Sequence, residues 1–355
     1  MKDSQITVLI VEDSPVVREF LNHVLTKAGI KVIGVVSDGE EAVRFVQRTR
    51  PDVITMDIYM PMLNGIDATR RIMETNPVPI VIVSGNWDPR EIEMTFRAME
   101  AGAVALVRRP QGIGHPDHEA TAAELVQNVR LMSEVKVVRR WPRNRMQRTE
   151  AVNTPRSTPV SFADSVRVVA IGASTGGPPV LQTILQQIAP SFPAPVLIVQ
   201  HMAAGFLPGM VEWLNNTSGI PIKIAARGET ALAGHAYVAP DGYHMGVDQS
   251  GMILLAQVLP ENGARPSVSY LFRSAAASFG RNAVGILLTG MGRDGAAELK
   301  VLKDKGAVTI AQNKESSVIY GMPAVAAELD AALYVLSPEQ IASALAAMTI
   351  GEGHD

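Results

Sequence analysis

Short apolar runs alternate with amphipathic stretches in the first part of the chain, from residue 6 to about residue 133. The apolar runs predict strands, and the stretches with a helical period predict helices. The predicted strands are 6–11, 32–36, 53–57, 80–84 and 104–107, and the predicted helices are 15–28, 39–49, 65–75, 89–100 and 119–133. This alternation is typical of a doubly wound parallel sheet with helices on both faces.

The same alternation resumes at Val166 and predicts a second parallel-rich α/β domain. The predicted strands are 166–171, 195–199, 236–239, 283–289 and 307–311, and residues 243–248 and 252–255 predict a β-hairpin. The predicted helices are 178–189, 206–216, 267–279, 294–305, 322–328 and 337–347. Between the two parts, residues 134–165 are rich in arginine, proline and small polar residues, which predicts a linker. The predicted domains are therefore 1–133 and 166–355, joined by the linker 134–165.

Composition narrows the function classes. A chain of 355 residues suggests two domains, and its net charge of −3 argues against a nucleic-acid-binding surface. The absence of cysteine excludes disulfides, thiolate nucleophiles and cysteine-ligated metals. The N-terminus lacks a signal-peptide pattern, and no apolar run is long enough to cross a bilayer. We therefore expect a cytoplasmic protein without direct membrane insertion. A DNA-binding output is disfavoured because residues 166–355 contain no compact basic helix-turn-helix.

Ser174 lies in a turn of small residues between a predicted strand and a predicted helix. The segment Gly172-Ala-Ser-Thr-Gly176 has the G-x-S-x-G spacing, which raises a serine hydroxyl above a sheet and leaves backbone N–H groups free. The same turn could simply start a helix, or it could cradle the phosphate of a dinucleotide. A dinucleotide site requires an acidic residue after the next strand, but that strand ends in Gln200-His201. Because a histidine can act as the base for a serine, we favour a nucleophile at Ser174.

Asp294 completes the set of residues needed for nucleophilic catalysis. It follows the predicted strand 283–289, so nucleophile, base and orienting acid are available at one edge of one sheet. Each residue also has an ordinary alternative: Asp294 could cap a helix, and His201 could be a satisfied strand-end histidine. The competing bases and acid are His235, His244 and Asp241. The order serine, histidine, aspartate differs from that of the α/β-hydrolases, which predicts a different fold.

Polar residues also follow the predicted strands of the first domain. They are Glu12, Asp13, Asp57, Ser84 and Arg109. Clustered oxygen ligands suit Mg²⁺, and a carboxylate beside that ion can attack a phosphoryl group. Taken singly, Glu12 and Asp13 could belong to a helix cap before Pro15, and Asp57 could be a strand-end acid that faces solvent. Their joint placement favours a site.

Residues 6–133 resemble the receiver domain of response regulators. The resemblance rests on the segments Val8-Leu-Ile-Val-Glu-Asp-Ser14, Met56-Asp-Ile-Tyr-Met-Pro61, Asn64-Gly65, Val83-Ser84 and Arg109-Pro110. The resemblance implies a flavodoxin-like fold with Asp57 as phosphoacceptor. It implies Mg²⁺ held by Glu12, Asp13, Asp57 and the Tyr59 carbonyl, with Ser84 and Arg109 as phosphorylation switch residues. The family usually has lysine where this chain has Arg109, and an aromatic residue where it has Leu106. We therefore expect phosphorylation, with altered transmission of the signal.

Residues 166–349 closely resemble the catalytic domain of chemotaxis protein-glutamate methylesterases. The resemblance rests on Ile171-Gly-Ala-Ser-Thr-Gly-Gly-Pro178, Val199-Gln-His-Met202, Ala239-Pro-Asp-Gly-Tyr-His244, Leu288-Thr-Gly-Met-Gly-Arg-Asp-Gly295 and Tyr320-Gly-Met-Pro323. A receiver, a linker and this domain, in this order, match the full-length family. The other hypothesis is a response regulator whose output domain only binds a partner.

This resemblance implies the reaction and the partners. The substrate would be a glutamyl methyl ester on a cytoplasmic helix of a chemoreceptor, hydrolysed with release of methanol, and receptor glutamines would be deamidated. The backbone N–H of Thr175, next to the nucleophile, and that of Met291, by family likeness, would bind the oxyanion. A histidine kinase would phosphorylate Asp57, and the catalytic domain would need no cofactor. We expect a monomer.

Overall fold

The computed structural model describes residues 5–85, 89–135 and 166–348, together with residues 137, 160 and 162. The chain divides into two compact units, Met1–Asn153 and Thr154–Asp355. The division falls inside the predicted linker, most of which lies outside the described residues, so the domain boundaries 133 and 166 stay a prediction. Among the described residues, no helix is long and apolar enough to cross a membrane.

The first unit contains a parallel sheet of five strands in the order β2-β1-β3-β4-β5. The strands are β1 (Thr7–Val11), β2 (Lys31–Val36), β3 (Val53–Met56), β4 (Ile80–Ser84) and β5 (Ala105–Arg108). The helices are α1 (Pro15–Lys27), α2 (Gly39–Arg48), α3 (Gly65–Thr75), α4 (Pro89–Ala101) and α5 (His118–Ser133). This strand order is that of flavodoxin-like folds, as predicted.

Burial explains why the strands of the first unit were recognisable in the sequence. All four residues of β3 and all five of β4 are buried, because helices cover both faces of a parallel sheet. Such strands appear as nearly continuous apolar runs. The polar residues of the predicted site stand at the points where these apolar runs stop.

The second unit contains a parallel sheet of seven strands in the order β14-β13-β12-β6-β7-β9-β8. Its strands are β6 (Val168–Ala173), β7 (Val196–Gln200), β8 (Ile222–Ile224), β9 (Ala236–Val238), β12 (Ala283–Leu287), β13 (Val308–Gln312) and β14 (Tyr334–Leu336). A separate antiparallel hairpin consists of β10 (His244–Val247) and β11 (Ile253–Ala256), as predicted. The helices are α6 (Gly177–Leu185), α7 (Leu207–Thr217), α8 (Val268–Phe279), α9 (Ala296–Asp304), α10 (Met322–Glu328) and α11 (Pro338–Ala346).

The strand order of the second sheet indicates where a ligand would bind. The central strand β6 lies between β7 and β12, and the order along the chain reverses there. Open α/β sheets bind their ligands beyond the carboxyl ends of the strands at such a reversal. Ser174 is the first residue after β6, so the turn singled out in the sequence stands at this point. The predicted fold class, two doubly wound parallel sheets with a hairpin in the second domain, is confirmed.

Candidate functional site

The turn that carries Ser174 is fixed by backbone hydrogen bonds to its neighbours. The N–H of Ser174 donates to the carbonyl oxygen of Thr289 at 3.0 Å, which ties the turn to the chain beyond β12. Its carbonyl oxygen accepts from the N–H of Gly177, the first residue of α6, at 2.8 Å. Gly176 has a φ of +80°, a left-handed conformation that favours glycine. The side chain of Ser174 is half-buried, which leaves part of it open to a reactant.

His201 is the neighbour of Ser174 across the sheet. Ala173 and Gln200 pair in register at the ends of β6 and β7, and the N–H of His201 donates to the carbonyl oxygen of Ala173 at 2.9 Å. Ser174 and His201 are the residues that follow this pair, on strands that lie roughly 5 Å apart. The side chain of His201 is 18% exposed, so it also borders the edge of the sheet.

Asp294 lies in the loop between β12 and α9, and only 4% of its surface is exposed. Its Oδ2 accepts from the N–H of Val268 at 2.7 Å, and its Oδ1 accepts from the N–H of Ser269 at 3.1 Å. These are the first two residues of α8, whose N-terminus favours a negative charge. Oδ1 also accepts from the Ser267 hydroxyl at 2.8 Å and from the Asn262 amide at 3.0 Å. The N-cap of α9 is Gly295, so the alternative that Asp294 caps its own helix is wrong.

The Asp294 carboxylate also contacts His201. Nε2 of His201 lies 3.0 Å from Oδ2 of Asp294, although the N–H is not well aligned with that oxygen. Burial by itself raises the pKa of Asp294. The contact with His201, together with hydrogen bonds from Asn262 and Ser269, outweighs burial and holds this pKa well below its usual range. Asp294 is therefore a carboxylate near neutral pH, and it faces the imidazole.

The two residues predicted to bind an oxyanion lie on segments that contact the Ser174 turn. The hydroxyl of Thr289 donates to the carbonyl oxygen of Thr175 at 3.0 Å. Gly290 packs so closely that a Cβ there would lie 2.6 Å from Cβ of Ser174. The carbonyl oxygen of Gly290 accepts from the N–H groups of residues 321 and 322, at 3.2 and 2.9 Å, which holds the segment leading to Met291 in place.

The three competing residues have other roles in the fold. His235 precedes β9, and its carbonyl oxygen accepts from the N–H of Val196 at the start of β7, so it lies at the opposite end of the strands. His244 is fully buried, with Nδ1 accepting from the N–H of Ser267 and Nε2 bonded to the Leu259 carbonyl oxygen. Asp241 accepts from the N–H of residue 205 at 2.9 Å and so holds the loop after His201. None of these contacts resembles that of a general base or its partner.

In the first unit, three carboxylates converge at the carboxyl ends of β1 and β3. One ligand oxygen from each of Glu12, Asp13 and Asp57 lies within 4.8 Å of the other two. Burial, together with the charge of Asp57, raises the pKa of Glu12 to about 7. Burial likewise raises the pKa of Asp57 to about 6, against the lowering effect of Arg109. A cluster of three hard oxygen donors at this spacing fits a small divalent cation.

The other residues predicted for this site lie around the carboxylates. Nη2 of Arg109 lies 3.0 Å from Oε2 of Glu12 and 3.7 Å from Oδ1 of Asp57, so the guanidinium pairs more closely with Glu12. Ser84 is the last residue of β4, and its carbonyl oxygen accepts from the N–H of Arg109 at 2.8 Å. Tyr59 is exposed. Leu106 in β5 is half-buried against the core of this unit.

The chain is similar to known proteins over nearly its whole length. A family model described as CheB methylesterase matches residues 169–345, and one described as a response regulator receiver domain matches residues 8–115. A protein-glutamate methylesterase/protein-glutamine glutaminase of Nitrosospira multiformis is 55% identical over 349 residues, which cover 98% of each chain. A relative with the same description from Geobacter metallireducens is 56% identical and covers 97% of this chain and 99% of its own. The chain belongs to the protein-glutamate methylesterase/protein-glutamine glutaminase family.

Among solved structures, the methylesterase catalytic domain of Thermotoga maritima CheB is 36% identical, with a TM-score of 0.49. It covers 53% of this chain and 98% of its own chain. The family membership explains the two units as a receiver domain and a methylesterase domain within one chain.

The residues that surround Ser174, His201 and Asp294 were not predicted from the sequence. They are Gln200, Asn262, Ser267, Ser269 and Thr289. Gln200 directly follows the predicted strand 195–199 and Thr289 ends the predicted strand 283–289, so their positions at strand ends were a usable signal. Asn262 lies in the connection between the hairpin and α8, and Ser267 and Ser269 lie at the start of α8, where the sequence pattern does not indicate what the side chains contact.

Proposed function

We propose that the chain hydrolyses glutamyl methyl esters with Ser174 as nucleophile, His201 as general base and Asp294 as the acid that orients the imidazole. One observation carries this assignment. The ionised, buried Asp294 lies 3.0 Å from Nε2 of His201, and His201 stands beside Ser174 at the point where the strand order reverses. Family membership gives the reaction, and this arrangement supports the residues that perform it.

The orientation of the imidazole assigns a role to each ring nitrogen. Because Nε2 faces Asp294, Nδ1 is the nitrogen that would take the proton of Ser174. Ser174 Oγ then attacks the ester carbonyl carbon and forms a tetrahedral oxyanion. The backbone N–H groups of Thr175 and Met291 would bind that oxyanion, and Asp294 would stabilise the imidazolium. The imidazolium returns its proton to the leaving oxygen, which departs as methanol.

The second half of the reaction uses the same residues, with water as the nucleophile and Ser174 as the leaving group. A water molecule gives a proton to His201 and attacks the glutamyl-serine ester. The tetrahedral adduct collapses, Ser174 regains its proton and a glutamate carboxylate leaves. With a glutamine side chain as substrate, the first step releases ammonia in place of methanol. Both activities therefore need the same carbonyl position and the same nucleophile.

The receiver domain would control this reaction through phosphorylation of Asp57 by a histidine kinase. Glu12, Asp13, Asp57 and the carbonyl oxygen of Tyr59 would hold Mg²⁺, which would neutralise the carboxylates and the phosphoryl oxygens. Arg109 lies 3.7 Å from Asp57, and Ser84, whose carbonyl oxygen binds the N–H of Arg109, ends β4; both would contact the added phosphoryl group. Phosphorylation would then raise the rate of ester hydrolysis by the methylesterase domain. The substrates would be the cytoplasmic helices of methylated chemoreceptors, which places the enzyme in the cytoplasm.

Methanol release from methylated receptor tests the proposal, with and without a small phosphodonor and Mg²⁺. Ser174→Ala should abolish the release without loss of folding, because a half-buried turn serine contributes little packing. His201→Gln should do nearly the same, and the double variant should lose little more because the residues act as a unit. Methanol release by Ser174→Ala at a near wild-type rate would remove the assignment. If wild type releases methanol but a phosphodonor does not stimulate the release, the proposed regulation is rejected and the assignment of Ser174, His201 and Asp294 is unaffected.

A further inference from the structure

Gln200 is the last residue of β7 and precedes His201. It is 4% exposed, which is unusual for a glutamine, and its side chain is directed toward the turn that carries Ser174. Buried amides require hydrogen-bond partners, so the partners of this side chain indicate what it does.

The amide nitrogen of Gln200 binds the backbone of both proposed catalytic residues. Nε2 donates to the carbonyl oxygen of Ser174 at 2.8 Å and to that of His201 at 2.7 Å. An amide carries two N–H bonds, so one group serves both contacts. The pairing of β6 with β7 ends at Ala173 and Gln200. The Gln200 amide thus joins the two strands just beyond the point where their backbone ladder stops.

The amide oxygen of Gln200, Oε1, lies where a side chain at position 177 would otherwise be. A Cβ at position 177 would lie 2.1 Å from Oε1 of Gln200, so only glycine admits the side chain in this orientation. Oε1 has no hydrogen-bond partner among the described residues, and it lies beside the first turn of α6. Two carbonyl acceptors on one side fix which end of the amide carries the nitrogen. The Gln200 side chain is consequently held in one orientation by the turn and by both strands.

We propose that Gln200 is a positioning residue for ester hydrolysis, one that fixes the distance between Ser174 and His201. This inference rests on the proposed function, because it requires Ser174 to be the nucleophile and His201 the base. Gln200 acts through the backbones of these two residues. Misplacement of reacting groups by about 1 Å can cost roughly 100-fold in rate, so loss of such a bridge should reduce turnover more than substrate binding.

The test compares Gln200→Met with wild type on methylated receptor. Methionine has nearly the same length but no N–H, so both contacts are lost without leaving a large cavity. We expect kcat to fall between tenfold and about 100-fold with KM within twofold, because the receptor-binding surface is unchanged. The rate at which a fluorophosphonate labels Ser174 should fall by the same factor. Both rates are divided by the concentration of folded protein, which is obtained from the folded fraction in a thermal unfolding curve.

Two further variants separate positioning from general stability. Leu345→Ala removes a fully buried side chain from α11, a helix that contributes no residue to the site. It should lower Tm while keeping kcat and the labelling rate within twofold of wild type. In Gln200→Glu, the protonated carboxyl has one O–H that can donate to a carbonyl oxygen, whereas the ionised carboxylate has no donor. Burial raises the pKa of such a carboxyl, so the donor is lost as pH rises. The ratio of its kcat to that of wild type should therefore fall as pH rises, whereas a merely structural role gives a constant ratio.

The results that would overturn the inference are distinct from those that would overturn the proposed function. If Ser174→Ala is inactive but folded Gln200→Met keeps kcat within twofold, Gln200 is not a positioning residue. A constant activity ratio for Gln200→Glu across pH would lead to the same conclusion. Failure of both Gln200 variants to fold where Leu345→Ala folds would assign Gln200 a purely structural role. An active Ser174→Ala variant would instead reject the triad itself.

Discussion

Replacing Asp294 by asparagine should reduce both catalysis and stability, and the two losses have separate causes. The carboxylate accepts four hydrogen bonds, from Val268, Ser269, Ser267 and Asn262, and it also faces His201. An asparagine amide has one oxygen and one NH₂ group. Whichever way the amide turns, its NH₂ group faces at least one buried donor that has lost its acceptor.

The magnitude follows from these contacts. A buried donor left without an acceptor costs about 1–3 kcal/mol. For a domain of this size, 1 kcal/mol corresponds to a shift in Tm of roughly 2–4 °C, so a fall of several degrees is expected. Catalysis should suffer more, because loss of the orienting charge in a serine triad lowers kcat by roughly 10⁴-fold. Ser174→Ala is the matched control, since it should lose the same activity with little change in Tm.

The pH dependence of Tm provides a second measurement with a fixed sign. The native pKa of Asp294 is held below its usual range, so the stability that its charge contributes is fully present above the unfolded carboxyl's value of 3.8. That stability is lost as pH falls from there through the native pKa. The difference in Tm between wild type and Asp294→Asn should therefore shrink as pH falls below about 4. A variant that keeps more than a tenth of kcat, or a difference in Tm that does not shrink below about pH 4, would refute this account.

Two further predictions concern the receiver domain. Asp57→Asn should abolish phosphorylation and leave only basal methanol release, because an amide cannot form an acyl phosphate; full stimulation of this variant by a phosphodonor would mean that another residue accepts the phosphoryl group. Arg109→Lys should increase the ratio of phosphorylated to basal activity, because the compact ammonium can leave Glu12, which the guanidinium contacts at 3.0 Å, for the phosphoryl group beside Asp57. An unchanged or lower ratio, measured as methanol release with and without phosphodonor, would contradict that reasoning.

The sequence predicted the strand-end residues of both sites because each follows an apolar run that stops abruptly. Ser174, His201 and Asp294 all stand after strands of the same parallel sheet, and topology brings such ends together. The two strands that were not predicted, β8 and β14, have three residues each and lie at the edges of the sheet. A run of three residues is too short to establish a period of two against a helical pattern.

The contacts around Asp294 could not be predicted from the sequence, for a different reason. The donors to Asp294 come from residues 262–269, and their role depends on how that connection packs against the loop after β12. Likewise, the preference of Arg109 for Glu12 over Asp57 is a matter of tenths of an ångström in a side-chain position. Local pattern specifies which elements form, but distances of this kind depend on tertiary packing.

Stoichiometric labelling tests most directly whether Ser174 is the nucleophile. The enzyme is titrated with a fluorophosphonate, the site of modification is mapped on peptides, and methanol release is measured on the same samples. The account predicts one phosphonyl group per chain, on the peptide that contains Ser174, and activity that falls in proportion to labelling. Undiminished methanol release from enzyme fully modified at Ser174, or inactivation that follows modification of a different residue, would contradict it.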